Sequence, residues 1–532
     1  MASVPRPAAT LILLRHGLEV LMLQRVQTAA FLGGAYVFPG GSLDPEDHSP
    51  HRVLGLTEKQ ANERLRVSSG GLAYYVAAVR ECFEEAGILL VRDARGDPIS
   101  SERAERLLHW RKKPFRNMLE AEDLFIPAGE LAYYGHWVTA PGRSRRFDTR
   151  FFVALAPEGQ RGSHDAGETV HDIWTSPREA LGRCARGEIE LVHATQVSLT
   201  DLSRFSEPRA AFDYVRALPE IEENRACWAQ GKDGPKIFRR ADPPYFEIHW
   251  SDPDETGETT YDIIPGQPKR LDPWVTRITA PNPGLMTGPG TNSYLVGGVA
   301  VIDPGPAIES HIDKILGETK SRLRWIVCTH THLDHSPATA LLKAKTGAKV
   351  LGRPAPTGQD ATFRPDVVLE GGQRVDLGEI TLRAIHTPGH ASNHVCYMLE
   401  RTKMLFTGDH VMQGSTVVIN PPDGDMRAYL RSLERLLGED IAIIAPGHGY
   451  LIGAAHKELR RLIAHRLNRE RKVIAALERL GRPSLDEMLP LVYDDVPERV
   501  HRVAARSLTA HLEKLIADGA VRLRNGAYTL VK

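Results

Sequence analysis

The sequence predicts a multidomain chain of α/β and α+β units, and three observations carry that prediction. Near the N-terminus two short apolar runs, 8–14 and 19–24, flank His16-Gly17 and lead into the glycine-rich loop Phe38-Pro39-Gly40-Gly41, with a helical pattern at 72–86. In the middle of the chain, short β-like runs end repeatedly in a turn followed by His or Asp. Toward the C-terminus three helical patterns precede two short strands around Asn525-Gly526, a strong hairpin signal. At roughly 100–200 residues per domain, 532 residues allow about three domains.

Each unit follows from its own pattern. Further β-like runs at 132–138 and 149–155, with a helical run at 177–186, complete one mixed unit over 1–215. From 216 to 273 the chain is rich in Gly, Pro, Asp and Lys, as in Gly231-Lys-Asp-Gly-Pro235, and reads as a linker with a strand near 245–250. The stretch 274–454 holds the recurrent strands, at 299–302, 325–328, 381–385, 404–406 and 441–445. The tail, 455–532, reads as a winged helix. It has apolar helical spacing from Leu462 to Leu477, a capping box at Ser484-Leu-Asp-Glu487, a helix from Val500 to Ile516 stopped by Gly519, and then the hairpin.

The 67 basic and 67 acidic residues cancel, which removes the global positive field of a protein devoted to duplex nucleic acid and leaves only a local basic patch open. Cys82, Cys184, Cys227, Cys328 and Cys396 are dispersed with no C-x-x-C pair. That suits neither a disulfide framework nor a Cys-rich zinc site, and it points to a reducing, cytoplasmic setting. No run approaches the roughly 20 apolar residues needed to span a bilayer, so no membrane partner is expected.

His330-Thr-His332-Leu-Asp334-His335 sets four metal-ligating groups in one loop after a strand. Imidazole and carboxylate donors suit zinc, and strand ends hold ligands on a rigid scaffold. His390, Asp409 and His448, each following a later strand, complete a set sufficient for two ions with Asp409 between them. Two ions about 3.5–4 Å apart hold a bridging hydroxide near neutral pH and polarise a scissile carbonyl or phosphoryl oxygen, which is hydrolytic chemistry. A lone histidine would more simply cap a helix; the crowding argues for metal.

These residues, with Asp303-Pro-Gly305, His386-Thr-Pro-Gly-His390, Thr407-Gly-Asp409-His410 and Pro446-Gly-His448-Gly449, resemble the metallo-β-lactamase superfamily over about residues 275–451. The resemblance implies an αββα sandwich, a first Zn²⁺ on His330, His332 and His390, a second on Asp334, His335 and His448, and Asp409 bridging them. Iron or manganese would suit the same donors, and Asp334 is the expected catalytic carboxylate. Because the superfamily spans β-lactamases, thioester hydrolases of the glyoxalase II kind and nucleases, fold alone leaves the substrate open. Asn282-Pro-Gly284, Gly288-Pro-Gly290-Thr-Asn292 and Pro421-Pro-Asp-Gly-Asp425, with the winged tail, are most similar to beta-lactamase-like members that include single-stranded RNA endonucleases. On that reading Arg502, Arg506 and Lys514 lie along an RNA backbone. The alternative is a packing or dimerisation face with solvated charge.

In the N-terminal unit, Val79-Arg80-Glu81-Cys82-Phe83-Glu84-Glu85-Ala86-Gly87-Ile88 places Glu81, Glu84 and Glu85 at i, i+3 and i+4 on one helix face. Three unpaired carboxylates repel, and a divalent cation that prefers oxygen, such as Mg²⁺, relieves the repulsion while clamping a diphosphate. With Phe38-Pro-Gly-Gly41 the segment resembles the Nudix box, G-x5-E-x7-R-E-U-x-E-E-x-G-U. Gly40 and Glu46 keep the first spacing; Arg80 stands where position 54 is expected, an insertion of 26 residues, and Cys82 replaces an aliphatic residue. An interrupted box of this kind is similar to the coenzyme A diphosphatase branch of Nudix hydrolases, over about residues 8–205. The resemblance implies an α/β/α sandwich, Mg²⁺ or Mn²⁺ on Glu81, Glu84 and Glu85, and catalytic roles for Glu84 and Glu85.

The expected function is a fusion of two metal-dependent hydrolases. The central site would cleave a phosphodiester in single-stranded RNA or an ester or thioester, and the N-terminal site a pyrophosphate in coenzyme A or a nucleoside diphosphate derivative. The alternative makes the central unit an acyl-CoA thioester hydrolase and the Nudix half a ligand-binding module without turnover.

Overall fold

Alternation along one strand organises the N-terminal sheet. In Arg6–Arg15, Leu11 and Leu13 face one side while Ile12 and Leu14 face the other, and all four are buried, so both faces must be covered. The computed structural model describes residues 4–27, 33–49, 52–142, 145–162 and 169–531, and the chain divides into two compact units, 1–228 and 229–532.

In the first unit, Arg6–Arg15 pairs in parallel with Phe147–Leu155 and antiparallel with Glu19–Arg25 and Gly40–Ser42 inside a mixed sheet. One face packs on the helix Gly71–Ala86 through Tyr75, Val79 and Phe83. The other is covered by the helices Pro177–Ala185, His193–Leu202 and Pro208–Arg216 through Ala180, Leu199 and Phe212. This is the expected α/β/α arrangement. Helix Gly71–Ala86 starts where the Glu58 carboxylate accepts the N–H groups of Gly70, Gly71 and Leu72, and it stops at Gly87, which takes φ 67° and donates its N–H to Phe83 O.

The second unit stacks two sheets. The first runs from Pro268–Arg270 through Val275–Thr279, Asn292–Val296, Ala300–Ile302, Trp325–Val327 and Lys349–Gly352 to Val367–Val368. The second runs from Arg374–Asp376 through Thr381–His386, Val395–Leu399 and Met404–Gly408 to Ile443–Pro446. Val296, Ile302 and Val327 meet Leu382, Tyr397 and Phe406 between them. Ile312 and Leu342, on Glu309–Thr319 and Thr339–Thr346, cover the outside of the first sheet. Leu433 and Leu459, on Met426–Leu437 and Ala455–Leu480, cover the second, giving the αββα order. The long helix continues into a further core formed with Leu485–Val492, His501–Ala517 and the hairpin Val521–Arg524/Ala527–Leu530, whose turn puts Asn525 and Gly526 at φ 50° and 75°.

One local expectation fails. The strand expected near 245–250 is instead the helix Tyr245–Ser251. Its aromatic-rich sequence has strand propensity, but tertiary contacts decide: Tyr245 and Ile248, three apart, are buried on one face, and Glu247 is fully buried against Arg277 and Lys269. The surrounding 216–273 stretch carries short strands as well, at Glu223–Arg225, Cys227–Ala229, Lys236–Phe238 and Pro268–Arg270. Among the described residues no helix is long and apolar enough to cross a membrane.

Candidate metal centre

Strand ends deliver the candidate ligands. The loop after Trp325–Val327 carries His330, His332, Asp334 and His335; His390 follows Thr381–His386, Asp409 follows Met404–Gly408, and His448 follows Ile443–Pro446. Asp303, just beyond Ala300–Ile302, fastens the first loop. Its carboxylate accepts Thr329 N–H and Thr329 Oγ1–H, each at 2.7 Å, and His335 Nδ1–H at 3.0 Å. Because the Thr329 hydroxyl hydrogen is committed to Asp303, its oxygen accepts from His330 Nδ1 at 3.0 Å. His390 Nδ1 donates to Val418 O at 2.9 Å and His448 Nδ1 to Gly290 O at 3.1 Å. Nδ1 is therefore occupied on His330, His335, His390 and His448, and the Nε2 atom is left to face the centre.

These ends converge, and His390 Nε2 also meets His332 Nδ1 at 3.0 Å. His330, His332 and His390 offer ligand atoms within 4.8 Å of one another, and Asp334, His335, Asp409 and His448 form a second group at the same spacing. Asp409 reaches both: Oδ2 lies 3.9 Å from His390 Nε2, while Oδ1 lies 3.4 Å from His335 Nε2 and 3.3 Å from His448 Nε2. The Nε2 atoms of His330, His335 and His448 and Oδ1 of Asp409 are buried without a hydrogen-bond partner, an arrangement costly to a fold unless something else satisfies them. Borderline nitrogen and hard oxygen donors in this crowding fit a pair of divalent cations.

The electrostatics agree with that fit. Burial holds His330 and His390 below the ordinary imidazole value and His332 at about 4, so all three are neutral donors. Burial would raise the carboxylates, but His335 and His448 bring Asp334 down to about 2 and Asp409 well below its usual value. Burial likewise opposes charge on His335 and His448, yet the carboxylates raise the first well above its usual value and the second to about 9. The second group thus draws positive charge to itself.

The N-terminal box is assembled despite its insertion. Gly40 N–H donates to Glu85 Oε2 at 3.0 Å, and Gly41 lies so close to Glu81 that a Cβ there would sit 2.4 Å from Oε1. Arg80 donates to Glu81 at 2.9 Å and to Glu84 at 3.0 Å, so the glutamates are tied to a guanidinium as well as to one another's helix. Glu85 is buried, and burial raises Glu81 to about 7 against the pull of Arg80 and lifts Glu84 in the same direction. Cys82 is fully buried and serves as the apolar residue the box requires.

Several contributors are not evident from the sequence. Asp47, next to Glu46, clamps Arg80 with Oδ1 at 3.0 Å from Nε and Oδ2 at 2.9 Å from Nη2. His394 stacks on His330 with ring centroids 5.1 Å apart, and His410 is fully buried beside Asp409. Only the adjacency of His410 to Asp409 hints at either histidine. Of the cations expected on the last helix, Arg502 and Arg506 are exposed, whereas Lys514 is engaged by Glu470 and Asp518 at 2.9 and 2.8 Å.

Residues 286–448 match the family described as "Metallo-beta-lactamase superfamily". A Caenorhabditis elegans relative named "Beta-lactamase-like protein 2 homolog" is 31% identical over 266 residues, 48% of this chain and 88% of that protein. The chain belongs to the metallo-β-lactamase superfamily. Another relative, from Aspergillus chevalieri and named "Atrochrysone carboxyl ACP thioesterase", is 34% identical over 272 residues, 48% of this chain and 84% of that protein. Residues 484–526 match "Beta-lactamase associated winged helix domain" and residues 52–204 match "NUDT19 Nudix domain". A NUDIX hydrolase structure from Alicyclobacillus acidocaldarius covers 40% of this chain and 96% of its own at 30% identity, with a TM-score of 0.32. This metallo-β-lactamase-superfamily chain is a hydrolase in which a Nudix domain precedes the metallo-β-lactamase fold and a winged helix follows it.

Proposed function

We propose that the metallo-β-lactamase-fold unit hydrolyses a thioester carrying an apolar acyl group, and that the Nudix unit cleaves a pyrophosphate in a coenzyme A-type or nucleoside diphosphate substrate. The proposed domains are 1–215, 216–273 as a connecting segment, 274–454 and 455–532. One observation favours the thioester over RNA. Leu333, inside the ligand loop, is 69% exposed, and Leu285 and Met286, on the loop that returns through Gly290 to His448, are 83% and 51% exposed. Large apolar side chains held in water beside a polar centre suit an apolar substrate group and offer little to a phosphate backbone. The engagement of Lys514 by two carboxylates weakens the phosphate-binding stripe further. The relative named for an acyl carrier protein thioesterase supports the same choice.

In this reading His330, His332 and His390 would hold one cation and Asp334, His335 and His448 the other, with Asp409 within reach of both groups. When bound, a pair of Zn²⁺ ions, or of iron or manganese, supplies the Lewis acidity that brings the pKa of water from about 15.7 to near 7 and polarises the scissile carbonyl. The fold supplies the rest. Asp303, Val418 and Gly290 fix the ring orientations, and Asp334, ionised at neutral pH and 28% exposed, is the carboxylate that would orient the attacking water. In the Nudix unit Glu81, Glu84 and Glu85 would hold Mg²⁺ or Mn²⁺, with Glu84 and Glu85 as the catalytic pair. The absence of cysteine pairing among five free thiols supports a reducing, cytoplasmic location.

The test offers the full chain a long-chain acyl-CoA, an acyl carrier protein thioester and labelled single-stranded RNA. Thioester turnover that is lost on chelation is expected. RNA cleavage without thioester turnover would reverse the assignment.

A further inference from the structure

Metal ligands keep their aim only if the atoms behind them are fixed, and here the support converges on one buried side chain from a helix that carries no ligand. Arg466 lies on Ala455–Leu480 and is 3% exposed. Its Nη2 donates to Val417 O. The next residue in that loop, Val418, offers the carbonyl that accepts His390 Nδ1–H at 2.9 Å. The guanidinium carbon also sits 5.3 Å from the Tyr429 ring centroid.

Tyr429 is the second branch. Its hydroxyl donates to His410 O at 3.0 Å, one residue from Asp409. Its backbone presses on Gly389, one residue before His390, so closely that a Cβ at Gly389 would lie 2.3 Å from Tyr429 Cα; Gly389 also takes φ 145°, which glycine permits. Two routes thus run from Arg466 to His390, and a third to Asp409.

We infer that Arg466 is a positioning residue of the metal centre: it holds the Val417 carbonyl, next to the one that orients His390, and the Tyr429 ring, so that His390 presents Nε2 to the cation and Asp409 stays between the two ligand groups. The same helix runs on through Val473, Ala476 and Leu477 into the C-terminal core, so the segment that leads into the winged helix also completes the support of the metal ligands. Groups that orient ligands in this way typically govern metal affinity by about 10–100-fold. The inference rests on the metal-centre reading above.

The test is titration of the full-length chain with Co²⁺, followed by its visible absorption. Arg466→Met, and Arg466→Lys in case the first variant folds poorly, should bind the ion held by His390 about 10–100-fold more weakly, with a changed absorption envelope. Tyr429→Phe, which cuts only the link to His410, should lose less. Arg461→Met, an exposed position on the same helix paired with Glu458, should bind like the wild type. If Arg466 were merely structural, its variants would melt at lower temperature while their Co²⁺ affinity and spectrum stayed unchanged, and that result overturns the inference alone. A wild-type chain that takes up no Co²⁺ overturns both this inference and the metal-centre reading.

Discussion

The two candidate sites are built on opposite plans. In the Nudix unit the carboxylates sit on one face of one helix, so 3.6 residues per turn sets their spacing, and Gly40, Gly41 and Asp47, from the segment before the helix, still meet them across the insertion. In the second unit the candidate ligands come from loops that follow different strands, and no two of those loops would meet without the sheets beneath them. The helical site carries its own counter-charge in Arg80, whereas the strand-end site leaves buried Nε2 and Oδ1 atoms unanswered. A local site therefore tolerates insertion in sequence, and a non-local one depends on distant supports such as Asp303 and Arg466.

The largest expected effect separates the two plans. Asp409→Ala should lower thioester turnover by about 10³-fold, since losing a bridging ligand removes several kcal/mol of transition-state stabilisation. Mg²⁺-dependent pyrophosphate cleavage, followed by chromatography of the nucleotide products, should continue unchanged; a parallel loss would mean the two sites are not independent. Conversely, Glu85→Gln should lower pyrophosphate cleavage by about 10²-fold or more and leave thioester turnover intact. Retained cleavage would return the Nudix half to a ligand-binding role.

A third comparison concerns stability. Burial alone would raise the Glu247 carboxyl, but Arg277 and Lys269 bring it down to about 2. A depressed folded-state value means stabilisation that is complete above the ordinary value of 4.5 and is lost as pH falls toward 2. Glu247→Gln should destabilise the second unit by about 3 kcal/mol in denaturant melts at pH 7, because two buried cations lose their partner. The difference from wild type should shrink on acidification below pH 4.5; a difference that does not depend on pH there would contradict the ion-pair account. The smallest effect is at the rim: Leu333→Ser should raise KM for a long acyl chain about fivefold, on the order of 1 kcal/mol of lost apolar contact, and leave a short chain unaffected.

How much is legible in the sequence follows the same division. The seven candidate strand-end ligands, which the fold brings together, can be read because His and Asp recur after each β-like run, and the crowding of donors from His330 through His335 is what a metal centre needs. The glutamate face can be read from helical spacing alone. Supporting residues cannot. Asp303 is legible as part of the Asp303-Pro-Gly305 motif but not as a support, since Thr329 lies 26 positions away; Asp47 meets Arg80 across 33 and Arg466 meets Val417 across 49. The helix at Tyr245–Ser251 is hidden for the same reason, since burial of Glu247 depends on Arg277, 30 residues on. Periodicity reports which face is apolar, and it carries no information about a buried polar residue whose partner arrives from another element.

Anomalous diffraction from crystals of the full chain, grown with zinc and collected on both sides of its absorption edge, tests the central claim most directly. Two peaks are expected, one among His330, His332 and His390 and one among Asp334, His335 and His448, with Asp409 contacting both. Density showing no anomalous scatterer at either position, in protein that still hydrolyses a thioester, would contradict it.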